Sequence, residues 1–212
     1  MNLSEPRTSK PLESYYRLHA KIYDATRWSF LFGRDELCQR LSSQVFNHLL
    51  EVGCGTGKNL AKLDLYLKKQ TRQSQLSGLD LSNDMLSIAK RKLRHCHRDI
   101  HLYHDAYDAS VHDNSDSVDA LLFSYSLSMF NPGWEQAIDT AHHKLQSGNL
   151  IAVVDFHQSK HPLFQSWMAL NHVKMEAHLL NKLRECFAPV QQETYAAYFG
   201  LWEYFLFIGK KT

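Results

Sequence analysis

The chain predicts an α/β fold built on a mainly parallel, doubly wound sheet. Strand-like and helix-like patterns alternate from residue 46 to residue 156, the order expected when each crossover helix returns the chain to a parallel strand. Glycines at positions 53, 55 and 57 follow the apolar run Leu49-Leu50-Glu51-Val52, which marks a buried strand turning sharply into a helix. Residues 187–210 are rich in Tyr and Phe and read as two strands joined near Tyr198, with no helix between them.

The 212 residues suit one domain with a sizeable core. Residues 1–13 form a polar arm. Ser14 caps a helix over 14–25, in which Tyr15, Leu18 and Ile22 recur at helical spacing beside a second stripe of Tyr16 and Tyr23. An aromatic segment follows, and Asp35 opens a second helix with Leu37, Leu41 and Val45 on one side. Residues 1–45 are thus a helical lid or arm on the main body, 46–212.

Strand one covers 46–51. A helix over 58–69 turns Leu60, Leu63 and Leu67 inward. Strand two is 75–80, and Ser82 caps the next helix with Asp84 in its first turn. Strands follow at 100–104 and 117–123. Asn131-Pro132 starts a helix as a cap followed by proline, and Gly148 stands where its C-terminal cap belongs. Strand five is 149–156, followed by helices near 162–171 and 173–185.

Hydrophobic residues make up 44% and charged residues 22%, a globular composition. A net charge of +2 gives no footprint for nucleic acid. The polar first ten residues are no signal peptide, and no run reaches the roughly 18 apolar residues of a membrane span. Cys38, Cys54, Cys96 and Cys186 are scattered, which suggests free thiols in a reducing cytoplasm and neither disulfides nor zinc. The 13 histidines include no H-E-x-x-H, and no metal site is expected.

The glycine spacing is E-x-G-x-G-x-G, from Glu51 to Gly57. The third glycine falls one position early for the dinucleotide fingerprint. The string resembles motif I of the class I S-adenosyl-L-methionine (SAM) methyltransferases. That resemblance implies SAM as cofactor and a Rossmann-like sheet in the order 3-2-1-4-5-7-6 with the last strand antiparallel. It places Gly53, Cys54, Gly55 and Gly57 under the methionine part and ribose of SAM. Asp80, 23 positions after Gly57, ends strand two, where a carboxylate accepts hydrogen bonds from ribose hydroxyls. Leu81 and Met85 then border the adenine, and Asp105-Ala106 follows the family pattern for its amino group, with Asp108 a competitor. Glu51 orients the loop or meets the sulfonium end. Asn59 faces the methionine carboxylate at a helix start.

After strand four comes Ser124-Tyr125-Ser126-Leu127-Ser128. The N/D-P-P-Y of adenine and protein-glutamine N-methyltransferases is absent, which argues against a nucleobase or amide nitrogen as acceptor. Ser124 and Tyr125 line SAM or the acceptor channel. An amine acceptor must lose a proton to react, and Tyr16, His19, Tyr125 and His157 are the candidate proton acceptors.

The front end is similar to the betaine-lipid N-methyltransferases, through Tyr15-Tyr16-Arg17-Leu18-His19-Ala20-Lys21-Ile22-Tyr23-Asp24-Ala25-Thr26-Arg27 and Phe30-Leu31-Phe32-Gly33-Arg34. This implies that Tyr23 and Arg27 close over SAM, and that diacylglyceryl-homoserine is methylated to its trimethyl form. Phosphatidylethanolamine, a soluble molecule or a quinone precursor are the alternative acceptors, and a non-catalytic SAM-binding protein is a further reading. Trp28, Phe30, Leu31 and Phe32, with Arg27 and Arg34 beside them, fit a lipid substrate met at a membrane surface. Phe164, Trp167, Met168 and Leu170 add to that surface. The expected location is cytoplasmic, peripheral on the inner face of the membrane.

Overall fold

The computed structural model describes residues 30–108, 118–130, 132–170 and 173–212. The helix expected over 14–25, with Tyr16, His19 and Tyr23, lies outside these, as does Arg27 after it. Met1–Phe32 and Gly33–Thr212 are separate compact units.

Helix α1 is Arg34–Ser42, followed by β1 His48–Val52, α2 Lys58–Lys69, β2 Gln75–Asp80, α3 Asn83–Leu93, β3 Ile100–His104 and β4 Ala120–Ser124. Then come α4 Trp134–Lys144, β5 Leu150–Phe156, α5 Pro162–Leu170, α6 His178–Cys186, β6 Ala188–Ala197 and β7 Trp202–Lys210. The seven strands form one sheet in the order β3-β2-β1-β4-β5-β7-β6. Strands β1 to β5 run parallel, and β7 enters antiparallel between β5 and β6.

Side chains alternate across this sheet, and β1, β2, β4 and β5 bury both faces, while the edge strand β3 leaves His101, Tyr103 and His104 exposed. One face carries Leu50, Val52, Leu121, Phe123, Ile151, Val153, Phe205 and Phe207, packed against Ile138 and Ala141 of α4 and Leu179 and Leu183 of α6. On the other, Leu60 of α2 lies so close to β2 that a Cβ on Gly78 would sit 2.7 Å from it. Asp35 ties α1 to α2 by accepting from Lys62 Nζ at 2.6 Å and Tyr66 Oη at 2.9 Å.

Several element ends differ from expectation. Helix α1 stops at Ser42, which leaves Val45 exposed rather than on its inner face. Helix α4 begins at Trp134 behind Gly133, whose φ of +129° only glycine adopts readily, and Pro132 falls in the preceding turn. Gly148 does not cap α4. Leu145 is already extended, and Gly148 turns the chain at φ +87° with its N–H donating to the Lys211 carbonyl at 2.7 Å. The helix expected from 173 starts only at His178. Glu176 bridges Gln158, and Ala177 N–H donates to the His157 carbonyl at 2.8 Å, so this stretch pairs with the exit of β5 instead of winding.

Strand β6 is an edge strand with a bulge between Pro189 and Gln191. Because Phe156 pairs with Tyr204 and Leu150 with Lys210, the turn joining β6 to β7 lies at the carboxyl edge of the parallel strands. In that turn Tyr198, Phe199 and Gly200 all have positive φ, at 47°, 57° and 90°.

Candidate active site

The carboxyl edge of β1 carries the glycine loop, and its three glycines have different reasons to be glycine. All three have positive φ. A Cβ on Gly53 would sit 2.7 Å from Ser126 Cβ, so the loop after β4 presses on it. On Gly57 a Cβ would meet Leu93 and Ala89 at 3.0–3.3 Å, where α3 crosses. At Gly55 no atom of the described residues lies within 4 Å. Gly55 is the position open to a ligand, and the other two let protein segments close around it.

Asp80 fixes this opening. Its Oδ2 accepts from Gly55 N–H at 2.7 Å and its Oδ1 from Ser82 N–H at 2.8 Å. One carboxylate thereby joins the glycine loop to the start of α3, where Ser82 Oγ caps Met85 N–H at 3.3 Å as its sequence position predicts. Lys92 donates to the Thr56 carbonyl at 2.8 Å and holds the loop from the other side.

Beneath the loop lies a buried polar chain. Glu51 is 1% exposed. Its Oε1 accepts from Asn59 Nδ2 at 2.6 Å, and Asn59 Oδ1 accepts from Arg34 Nε at 3.1 Å. Glu51 Oε2 is buried with no partner. Burial pushes the Glu51 carboxyl up to about 7, against the pull of Arg34 and Asn59. Asn59, expected to face a ligand carboxylate, instead uses both ends of its amide on Glu51 and Arg34. It is buried and hydrogen-bonded to both of them. Arg34 enters the site only through this geometry, since no spacing in the sequence singles it out as Asn59's partner.

Cys54 contributes backbone rather than thiol. Its N–H donates to the Leu79 carbonyl at 3.0 Å, and its sulfur packs toward Gly78, where a Cβ would approach it to 2.8 Å. Burial raises the thiol far above its ordinary range and leaves it unreactive. Lys58, just after the loop, is pushed down to about 8 by burial and by Lys92, Arg34 and Lys62. That cluster of positive charge favours an anionic ligand group beside the start of α2.

At the ends of β2 and β3, Leu81 is 66% exposed and Met85 half-buried. His104 Nε2 lies 2.9 Å from the Leu81 carbonyl. Asp105 is exposed, and its Oδ1 accepts from Ala106 N–H at 2.8 Å. These surfaces form a shallow rim beside Asp80.

The loop after β4 has another character. Ser124, Ser126 and Ser128 are buried and their hydroxyls have no partner, which the sequence flagged only for Ser124. Tyr125 has a φ of 54° and packs edge-on against Phe156 at 4.8 Å between ring centres. Asp155 is fully buried beneath this loop and accepts from Ser128 N–H at 3.1 Å. His157 is half-buried at the end of β5 with Nδ1 unpartnered, and burial lowers its pKa, so the ring is neutral near pH 7. Its ring lies beside Phe205. Among the described residues no group of three or more His, Cys, Asp or Glu is placed to hold a metal ion.

The open space at Gly55, the unpartnered Glu51 Oε2 and the unpartnered serine hydroxyls together fit a polar, partly charged small molecule laid across the strand ends. Residues 49–148 match the methyltransferase domain family. A demethylmenaquinone methyltransferase of Staphylococcus haemolyticus is 26% identical over 166 residues, 76% of this chain and 66% of that protein, just under two thirds of its length. Among solved structures, the N-methyltransferase NodS of Bradyrhizobium japonicum with S-adenosyl-L-homocysteine superposes with a TM-score of 0.65 at 16% identity, over 84% of this chain and 85% of that one. The 1,6-didemethyltoxoflavin-N1-methyltransferase of Burkholderia thailandensis gives 0.66 at 15% identity over 99% and 93%. The [4+2]-cyclase SpnF gives 0.67 at 17% identity over 84% and 79%, so the same fold also serves a cyclase.

Proposed function

We propose that this chain, a class I SAM-dependent methyltransferase, transfers methyl groups to the amine headgroup of a lipid, with diacylglyceryl-homoserine as the leading acceptor. The observation that carries the lipid reading is the front-end sequence from Tyr15 to Arg34, which resembles the betaine-lipid N-methyltransferases. The fold neighbours include two N-methyltransferases, in keeping with nitrogen as the acceptor atom.

SAM supplies a methyl group on a positively charged sulfur, open to in-line attack. The protein's contribution is alignment and charge. Asp80 presents the rim on which a ribose diol hydrogen-bonds. Gly55 leaves the backbone bare for close approach. Glu51 sets a carboxylate oxygen, otherwise without a partner, beneath the cationic end of the ligand. Lys58 and Arg34 favour the ligand's own carboxylate. The hydroxyls of Ser124 and Ser126 stand on the acceptor side, able to hold an amine's hydrogens, and the neutral His157 ring is a proton acceptor within the same sheet edge. Tyr16, His19, Tyr23 and Arg27 remain proposals for the front segment, the first two as proton acceptors and the last two as a cover over SAM.

The test is incubation of the enzyme with methyl-labelled SAM and detergent-dispersed diacylglyceryl-homoserine. Label in a cationic lipid is the expected result. Label found only in a water-soluble product, or none at all, overturns the lipid reading. The second reading is a quinone-precursor acceptor, favoured by the likeness to the demethylmenaquinone methyltransferase. A quinone extract in the same assay distinguishes the two.

A further inference from the structure

We infer that the tip of the β6–β7 hairpin and the outer face of α5 form a docking face for an anionic lipid bilayer. The inference rests on the lipid-acceptor reading and adds where on the molecule the bilayer would sit.

Phe199 is 112% exposed, more open than in an extended chain, and Tyr198 beside it is 46% exposed. Both are held with positive φ, a conformation that aromatic residues rarely adopt and that natural proteins retain mainly where it has a use. The turn thus aims a phenyl ring straight into solvent. Helix α5 presents a matching surface. It contains no charged residue. Leu163 is 89% exposed and Trp167 is 44% exposed, four positions apart and so on one helix face. Met168 turns inward.

The two parts belong to one edge of the sheet. Ser159, just ahead of α5, donates from its hydroxyl to the Leu201 carbonyl at 2.7 Å, and Gln165 of α5 donates to the Ser159 carbonyl at 2.5 Å. On the same segment Glu203 N–H donates to the Gln158 carbonyl at 2.7 Å. The helix start and the hairpin are therefore latched together at the carboxyl edge, where the glycine loop also opens.

The chemistry selects a bilayer over a protein groove. Leucine, phenylalanine, tryptophan and tyrosine in shallow exposure are the residues that settle at a membrane interface. Lys160 and Lys174 flank α5, both exposed, and give the positive rim that anionic headgroups attract. No helix among the described residues is long and apolar enough to cross a membrane, so the contact is superficial and reversible.

The experiment is co-sedimentation of the full chain with vesicles of phosphatidylcholine containing phosphatidylglycerol. The wild-type protein is expected in the pellet, and the double substitution Leu163→Ser with Phe199→Ser is expected to reduce partitioning at least tenfold. Phe199→Gly removes the ring while suiting the positive φ, and serves as a second variant with no folding risk. Both variants are expected to keep SAM affinity by calorimetry and activity on detergent-dispersed lipid. Wild-type protein left in the supernatant overturns the docking face. So does partitioning that the substitutions do not change, or a wild-type dimer that the substitutions split into monomers, which would assign the face to a second copy. Vesicle binding without any lipid methylation upholds the docking face and sinks the lipid acceptor instead.

Discussion

The two halves of the carboxyl edge are built in opposite ways. Beside β1 and β2, Glu51 Oε2 is buried without a partner, but the other polar groups named there are paired within the protein. Asp80 uses both oxygens on backbone N–H groups, Asn59 uses both ends of its amide, and Lys92 holds Thr56. Beside β4, three buried serine hydroxyls have none, and Tyr125 sits in the left-handed region. Buried polar groups without partners are rare because each costs free energy. The first half is set in its working shape before any ligand arrives. The second leaves buried hydroxyls unpaired, a contrast in keeping with the proposed division between a cofactor side and an acceptor side.

The largest expected break in this contrast is Asp80→Ala. It removes two charge-assisted hydrogen bonds, each about 1.5–3 kcal/mol, and frees the glycine loop. SAM affinity by calorimetry is expected to fall by roughly a hundredfold or more. Unchanged affinity would mean the loop holds its shape without Asp80.

The glycines sharpen the contrast next. Gly53→Ala places a methyl against Ser126 and forces an alanine to positive φ, for a loss of about 2–4 kcal/mol in denaturant unfolding. Pairing it with Ser126→Gly relieves the clash but not the backbone strain. Gly55→Ala faces open space, so its stability loss is held to about 1–2 kcal/mol, while SAM affinity falls well beyond that. Equal stability losses at the two positions would contradict the assigned roles.

Glu51 tests the buried chain by pH. Its folded pKa of about 7 stands above the ordinary 4.5, so the folded protein holds this proton more tightly than the unfolded one. The contribution to stability is full below about pH 4.5 and is lost as pH rises through 7. At full burial the difference amounts to as much as about 3 kcal/mol. Glu51→Gln is expected to flatten this dependence, so that its melting temperature gains on wild type between pH 5 and pH 8. Parallel curves would refute the burial of an ionisable carboxyl.

The smallest effect is Ser126→Ala. Removing a hydroxyl that has no partner leaves stability within about 1 kcal/mol or raises it slightly, while kcat/KM for the acceptor falls. A clear destabilisation would show that the hydroxyl already has a partner inside the protein.

The same two halves differ in how legible they were. The half beside β1 and β2 could be read closely, because its structure follows local backbone rules. A strand before glycines, an aspartate closing the next strand and a serine cap after it each follow from spacing. The strand order agreed with the resemblance as well. What spacing could not reach were contacts between distant positions. Arg34 meets Asn59 across 25 residues, and Ser126 meets Gly53 only because β4 lies beside β1. The segment 173–177 looked helical by pattern, yet its pairing with Gln158 and His157 overrode that preference.

One consequence reaches past the single molecule. Every open sheet has two rims that invite a neighbour's backbone to pair, and uncontrolled pairing seeds aggregates. Here one rim is β6, where Pro189 lacks an N–H and the bulge beside it breaks the repeat. The opposite rim, β3, is only five residues long and ends on two histidines around a tyrosine and a leucine. Both borders make poor templates, so crowding these molecules together should not stitch their sheets into a fibre.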